Sequence, residues 1–231
     1  MAGKRFVKIA YTGRVKDGDI FDSTSEEIAK KEGLYDERKH YSPMTVVVGE
    51  GQVLAGLDDA IKDMEKGEEK EIVLLPEKAY GHRNPDHVRL VSLGEFRKKN
   101  INPVPGMPVE LDGRRARIQT VSGGRVRVDF NHEMAGKTVV FDVKIVDEAR
   151  TRKQKINYII ERSFNSSEDF DVKSSRGRVE IRFPESIYKD KNLLLRKASL
   201  SAELFKYLGV DEVVYTESWK NPASSGKEEI K

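Results

Sequence analysis

Alternating apolar and polar residues at two distant places constrain the fold of this chain more than any other feature. Val7, Ile9 and Tyr11 alternate with Lys8 and Ala10, and the same pattern returns over residues 139–145. A period of two is typical of half-buried β-strands. We therefore predict one antiparallel sheet that contains both segments, with residues 84–132 inserted between two of its strands.

The charges divide the chain in the same way. Residues 84–132 contain nine Lys or Arg against five Asp or Glu, and residues 150–231 contain seventeen against thirteen. Since the net charge of the whole chain is +3, the remaining residues carry −5. We predict three units: a body of residues 1–83 and 133–149, an insert of residues 84–132 that contains four prolines, and an α+β C-terminal domain of residues 150–231.

The composition excludes several classes of protein. The chain has no cysteine, which excludes disulfides, thiolate metal ligands and a cysteine nucleophile. Its four histidines include no pair at helical i, i+4 spacing, and no glycine-rich phosphate loop is present, so we expect neither a metal nor another cofactor. No apolar run approaches the roughly 18 residues of a membrane span. From these absences we predict a cytoplasmic protein without a membrane contact.

Local patterns predict the remaining elements. Thr24 and Glu27 have the spacing of a capping box, which predicts a short helix from Ser25. The apolar stripe Leu54, Leu57, Ile61 and Met64 predicts a helix that stops at Gly67. Further strands are predicted at 45–48, 70–75, 115–121, 125–130, 170–173, 179–183 and 213–215, and further helices at 92–100, 156–164 and 193–208.

Five short sequence motifs combine aromatic or apolar residues with single polar ones. In order they are Tyr11-Thr12-Gly13, Phe21-Asp22-Ser23, Val53-Leu54-Ala55-Gly56-Leu57, Ala79-Tyr80-Gly81 and Phe141-Asp142-Val143. Together they resemble the FKBP-type peptidyl-prolyl cis/trans isomerases. Asn131-His132-Glu133-Met134-Ala135-Gly136 is similar to the motif with which long-type, SlyD-like members leave a chaperone domain inserted in the flap. The C-terminal region resembles extensions of archaeal long-type members.

The resemblance implies an α+β fold, in which an antiparallel β-sheet wraps a short helix, and an isomerase that acts without covalent catalysis. It implies catalytic roles for Tyr11, Phe21, Asp22, Tyr80 and Phe141, and substrate contacts for Met44, Val53, Leu54 and Leu57. The Tyr80 hydroxyl would hold a substrate carbonyl, and Asp22 would orient polar groups at the rim. Leu57 and Met44 stand where single-domain members have a tryptophan and an aromatic residue, which argues against tight macrolide binding.

Simpler interpretations of the same residues stay open. Val53, Leu54 and Leu57 could form only the core face of a helix, Phe141 could be a core residue of its strand, and Tyr11 and Tyr80 could be structural. On the FKBP scaffold, the alternative function is a non-enzymatic holdase or a module that binds peptide or RNA.

The insert has two competing interpretations as well. Its apolar residues could capture unfolded chains, or they could form the insert's own core. They are Val88, Leu90, Val91, Leu93, Phe96, Ile101, Val104, Met107, Val109 and Leu111. A group of arginines could contact RNA or the ribosome, although a solvated strand face is the simpler explanation and no aromatic residue alternates with them. These are Arg114, Arg115, Arg117, Arg125 and Arg127.

The C-terminal helix carries a third apolar group. Its members are Leu193, Leu194, Leu200, Leu204, Phe205 and Leu208. They could form the core of the domain, a homodimer interface or a second binding site for client chains. The expected partners of the whole chain are unfolded or proline-containing polypeptides.

Overall fold

The computed structural model describes residues 4–219, which form strands and five short to medium α-helices. The strands are β1 (Phe6–Val15), β2 (Ile20–Ser23), β3 (Met44–Val47), β4 (Glu69–Leu74), β5 (Val88–Ser92), β6 (Pro108–Leu111), β7 (Arg114–Ser122), β8 (Arg125–Asp129), β9 (Val139–Ala149), β10 (Asp171–Ser175), β11 (Arg178–Arg182) and β12 (Glu212–Thr216). The helices are α1 (Glu26–Lys31), α2 (Ala55–Ile61), α3 (Leu93–Lys98), α4 (Arg152–Phe164) and α5 (Leu193–Leu208).

The body is an antiparallel sheet built around β1. This strand pairs with β2, β3 and β9, and β9 pairs in turn with β4, so that the two segments with a period of two lie side by side. Helix α2 covers the sheet because Leu57, Ile61 and the nearby Met64 enter its core at 3%, 0% and 2% exposure. The predicted α+β class and the sheet packed on a short helix are confirmed.

The insert forms a separate four-stranded sheet in the order β5-β8-β7-β6. The chain enters the insert after β4 and leaves it before β9. These two strands of the body pair directly with each other, as the alternation predicts. Strands β5 and β6 were absent from the sequence prediction, which was wrong on this point. Both are short edge strands: β5 shows no alternation of burial, and β6 alternates over only four residues beginning at Pro108.

The C-terminal unit packs α4 and α5 on the sheet β10-β11-β12, in which β11 and β12 are parallel. Its core also takes in residues of the body: Phe6, Val47 and Ala149 are buried among its side chains, and the Phe6 ring meets Tyr207 edge-on at 6.0 Å. The predicted fraying of residues 221–231 lies outside the described residues. Within residues 4–219 no helix is both long and apolar enough to cross a bilayer.

Two helix predictions need correction. Helix α1 is capped by Ser25, whose hydroxyl accepts the N–H of Ile28 at 3.4 Å, instead of by Thr24. The Thr24 hydroxyl is engaged elsewhere, because it accepts the N–H of Tyr11 at 2.9 Å. Helix α2 ends at Ile61, before the predicted stop at Gly67, although Met64 still reaches the core through the following turns.

Asp147 joins the body to the C-terminal unit. Its carboxylate accepts hydrogen bonds from Lys66 Nζ and from the Tyr158 hydroxyl of α4, each at 2.5 Å. The Lys66 ammonium, and next the Tyr158 hydroxyl, lower the pKa of Asp147 to about 2. A pKa depressed by folding means that the charged carboxylate stabilises the folded chain.

We predict that Asp147→Asn destabilises the protein most at neutral pH. The contribution of the carboxylate is complete above the unfolded pKa of about 3.9, and it is lost as the pH falls through about 2. The free energy of unfolding of wild type and variant should therefore differ at pH 6 and converge towards pH 2. Asp169→Asn, at an exposed position, is the control and should have little effect at either pH. A difference that stays constant from pH 6 to pH 2 would contradict the argument.

Candidate functional site

Aromatic rings from separate parts of the body meet on one side of its sheet. Phe21 lies edge-on to Phe141 at 5.7 Å and to Tyr80 at 6.0 Å, and Tyr11 lies edge-on to Phe141 at 5.9 Å. β1, β2 and β9 bring three of these rings together because they are adjacent strands, and the turn after β4 supplies Tyr80. Edge-to-face contacts of this kind are favourable for aromatic side chains.

Gly13 makes this approach of the rings possible. A Cβ atom at this position would lie 2.7 Å from Cε1 of Phe141 and 3.0 Å from Cζ of Phe21. A side chain there would push both rings out of the cluster. The first motif therefore has glycine at this position for a steric reason.

The floor and one wall of the site come from the segment that leads into α2. Leu57 is buried at 3% exposure, and Val53 and Leu54 pack half-buried against the same core, as does Met44 at the start of β3. These four residues and the rings of Tyr11, Phe21, Tyr80 and Phe141 thus pack in one apolar cluster.

Asp22 is the main polar group at the rim. Its Oδ2 accepts a hydrogen bond from the Tyr11 hydroxyl at 2.7 Å, and its Oδ1 accepts one from Lys39 Nζ. Lys39 also donates to the main-chain oxygen of Ser23 at 3.2 Å. Both carboxylate oxygens therefore hold donors in place, and Asp22 fixes the position of Tyr11 and of the loop that carries Lys39.

Burial and Asp22 together keep both tyrosines of the site protonated. Burial raises the pKa of Tyr11 far above its usual range, and the hydrogen bond to Asp22 and the negative charge of Asp22 raise it further. The pKa of Tyr80 is raised by burial first and by the charge of Asp22 second. The site thus presents hydroxyl groups that donate hydrogen bonds, without a tyrosine that ionises near neutral pH.

The return of the insert supplies one more wall. His132 stacks on the ring of Tyr80 at 4.4 Å with the planes 8° apart, and its Nδ1 accepts the N–H of Met134 at 3.1 Å. Beside His132, hydrogen bonds join the two segments that connect the insert to the body. Asn84 and Asn131 exchange two hydrogen bonds, and the N–H of Gly136 donates to the oxygen of Gly81 at 2.8 Å.

The structure brings all nine sequence-predicted residues into this one site. Leu57 and Phe141 belong to its buried core, Asp22 is bonded to Tyr11, and the others pack half-buried against the core. This packing agrees with the simpler interpretation of Leu57 and Phe141 as core residues, and it does not test a contact with substrate. Their roles towards a substrate remain predictions.

Sequence reasoning missed two neighbours of the site. Lys39 lies in a highly charged loop without periodicity, where nothing distinguished it from Lys30 or Lys31. His132 was noted only as part of the motif that ends the insert, and its contact with Tyr80 depends on the folded path of the insert. Among residues 4–219 no three His, Asp or Glu side chains are grouped as metal ligands.

Comparison with known proteins assigns the family. The chain is 36% identical over 142 residues to the short-type peptidyl-prolyl cis-trans isomerase of Methanocaldococcus jannaschii, covering 62% of this chain and 90% of the relative. It is 30% identical to a probable FKBP-type 16 kDa peptidyl-prolyl cis-trans isomerase of Pseudomonas fluorescens, covering 61% and 87%. The chain belongs to the FKBP-type peptidyl-prolyl cis-trans isomerases.

The other units also have relatives. Residues 89–134 match the FKBP26 IF domain, and residues 152–220 match the FKBP26 C-terminal domain, which identifies a long-type member. The SlyD isomerase of Helicobacter pylori is 31% identical over 49% of this chain and 63% of its own length. A solved structure of the three FKBP domains of wheat FKBP73 aligns at a TM-score of 0.33 and 20% identity, over 63% of this chain and 39% of that one, which is too low to bear on the fold.

The insert buries many of the apolar side chains whose role the sequence did not decide. Phe96, Val109 and Leu111 are core residues of the insert itself, at 0%, 8% and 5% exposure, so a capturing role for them is wrong. Leu90 and Val104 instead remain 65% and 50% exposed. Only these two members of the predicted group are largely exposed apolar side chains.

The arginines of the insert divide between its two faces. Arg115, Arg117, Arg125 and Arg127 are exposed on the outer face of the sheet, opposite the buried valines of β8. Arg114 instead pairs with Leu111 and stands over the ring of Phe130 at 5.1 Å, as Arg89 does at 5.4 Å. The ring of Phe130 thus lies beside Arg114, although no aromatic residue alternates with the arginines along the hairpin.

We predict that Asp22→Asn lowers the pKa of Tyr11. The variant removes the charged acceptor and leaves the burial, so the pKa should fall but stay above the ordinary value of about 10. A pH titration of protein labelled with carbon-13 at tyrosine Cζ, followed by NMR, resolves the individual hydroxyls. Asp19→Asn, an exposed carboxylate near the same hairpin, is the matched control. An unchanged Tyr11 titration in Asp22→Asn would show that Asp22 does not act on the hydroxyl.

Proposed function

We propose that the protein accelerates cis/trans isomerisation of X-Pro bonds in unfolded polypeptides and also binds such chains as a folding chaperone. The observation that carries this proposal is the cluster of aromatic rings around Phe21, in a chain of the isomerase family, with the Tyr11 hydroxyl held beside it by Asp22. We assign to the nine residues of the site the roles that were predicted for them from the sequence.

Cis/trans isomerisation of an X-Pro bond needs an apolar site with few polar groups. Rotation about a peptide bond faces a barrier of roughly 18–20 kcal/mol because amide resonance must be broken, yet no covalent bond has to be made. An apolar surface that excludes water disfavours the dipolar planar amide relative to the twisted one, and a pocket shaped for the twisted proline binds the transition state better than the ground state.

Individual side chains divide this task. We assign Phe21, Phe141 and Leu57 to the walls and floor against the proline ring, with Met44, Val53 and Leu54 along the edge. The Tyr80 hydroxyl has no hydrogen-bond partner in the described part of the chain and is the donor that we assign to the substrate carbonyl. Tyr11 and Asp22 complete the polar rim as a fixed pair.

We predict that wild type accelerates the proline-limited refolding of a model protein and that Tyr80→Phe and Asp22→Ala do so less. Loss of one hydrogen bond in the transition state corresponds to a decrease of roughly 2- to 12-fold in kcat/KM. Tyr35→Phe is the control, because Tyr35 stacks on Tyr41 outside the ring cluster. No acceleration by wild type would refute the enzymatic function and leave the holdase alternative.

The two exposed apolar side chains of the insert support the chaperone part of the proposal. We predict that Leu90→Ser with Val104→Ser weakens suppression of aggregation of an unfolded client while turnover of a short X-Pro peptide is unchanged. Val73→Ser, which removes an equally exposed apolar side chain from β4, is the control. Full suppression of client aggregation by the double variant would show that other residues capture the client. Substitution is preferable to truncation, because removal of the C-terminal unit would uncover Phe6.

Three finer inferences stay predictions. Leu194 and Leu195 are 79% and 70% exposed on α5 and would serve a homodimer, which light scattering tests, whereas Leu200 and Leu204 are buried in the domain core. The outer arginines of the insert would give a salt-sensitive gel shift if they contact RNA. The cytoplasmic location rests on the sequence alone and is tested by cell fractionation.

A further inference from the structure

A groove of about 920 Å³ lies beside the proposed proline site, between the body and the C-terminal unit. The body lines the groove with Tyr11, Lys39 and Met44, among other residues, and these three belong to the rim and edge of the site. The C-terminal unit lines it with residues 165–168, which follow α4, and with Glu161 and Arg162. The groove is therefore continuous with the proposed site and leads away from it onto another unit.

Both walls of the groove are held in place. On the floor, Lys8 forms an ion pair with Glu161 of α4 at 2.6 Å, and Asp147 bonds to Lys66 and Tyr158. Helix α4 is followed by Asn165 in the left-handed conformation. Its last residue, Phe164, packs on two other rings of the C-terminal core. A preformed groove needs little ordering when a ligand binds.

The chemistry of the lining suits an uncharged main chain. Three lysines that line the groove are each paired with a carboxylate: Lys8 with Glu161, Lys39 with Asp22 and Lys66 with Asp147. Of the other charged lining residues, Arg162 pairs with Glu203 at 3.5 Å and Glu168 is exposed. The lining also includes the apolar Met44 and Val146 and the hydroxyls of Ser42, Ser166 and Ser167, of which the last donates to Glu161 at 3.1 Å. Paired charges leave little net field for an ionic ligand, whereas hydroxyls can bond both the N–H and the C=O of a peptide.

We propose that this groove binds the extended main chain of the client polypeptide beside the proline, so that the C-terminal unit forms part of the substrate site. The inference rests on the proposed isomerase function and extends it. An extended chain advances roughly 3.3–3.6 Å per residue, so a segment of several residues continues directly from the proline pocket into the groove. Contacts there hold the proline at the pocket and raise its effective concentration.

The test compares two substrates on the full-length protein. One is a four-residue X-Pro peptide, and the other has the same core with uncharged extensions of about eight residues at both ends. We expect wild type to show a KM for the long peptide that is lower by roughly 2- to 12-fold, as one added hydrogen bond would give. Ser166→Trp and Ser42→Trp, which narrow the groove from opposite walls, should raise the KM of the long peptide and leave that of the short one unchanged.

Controls separate the groove from the proline site. Ser175→Trp places the same side chain at an exposed position of β10, outside the groove, and should keep the advantage of the long peptide. Binding of a fluorescent long peptide, measured by anisotropy, tests the groove even if no turnover occurs. Lack of turnover of either peptide would refute the isomerase function. Equal affinity of wild type and both groove variants for the long peptide would refute the groove.

Discussion

The pairing of β1 with three other strands is the constraint on which the structure depends. This strand contributes Val7 and Ile9 to the core of the body and Phe6 to the core of the C-terminal unit. Farther along, it places Tyr11 at the site and Gly13 beneath two rings. A shift of register by one residue would turn these side chains to the opposite face and undo both cores and the site together.

The position of the insert relative to the site follows from the same sheet. Because β4 and β9 are neighbours, a chain that leaves one and returns to the other starts and ends at one point of the sheet edge. The exchange of hydrogen bonds between Asn84 and Asn131 fastens that point. His132 is thereby held against Tyr80, and the exposed Leu90 and Val104 are carried on a unit anchored next to the pocket.

The sequence predicted most of the body and only part of the rest, for identifiable physical reasons. The alternation in β1 and β9 and the stripe Leu57, Ile61 and Met64 are visible because each has one buried face. The edge strand β5 has no alternation of burial, and β6 alternates over four residues only, which is too short a pattern to stand out in a segment rich in proline. The motifs identified the residues of the site through the family resemblance, but Lys39 and His132 reach it across loops. The groove needed two units folded against each other, which no local pattern encodes.

The burial of Phe6 against Tyr207 also bears on the order in which the chain can fold during synthesis. The insert closes its sheet within residues 88–129, so it can fold as soon as that segment has left the ribosome. β1 has to wait for β9, and Phe6 has to wait for α5, near the opposite end of the chain. At roughly 5–20 residues per second, this delay is on the order of 10–40 s. β1 is thus among the last of the described strands to be fully buried, although it is synthesised before all of its partners.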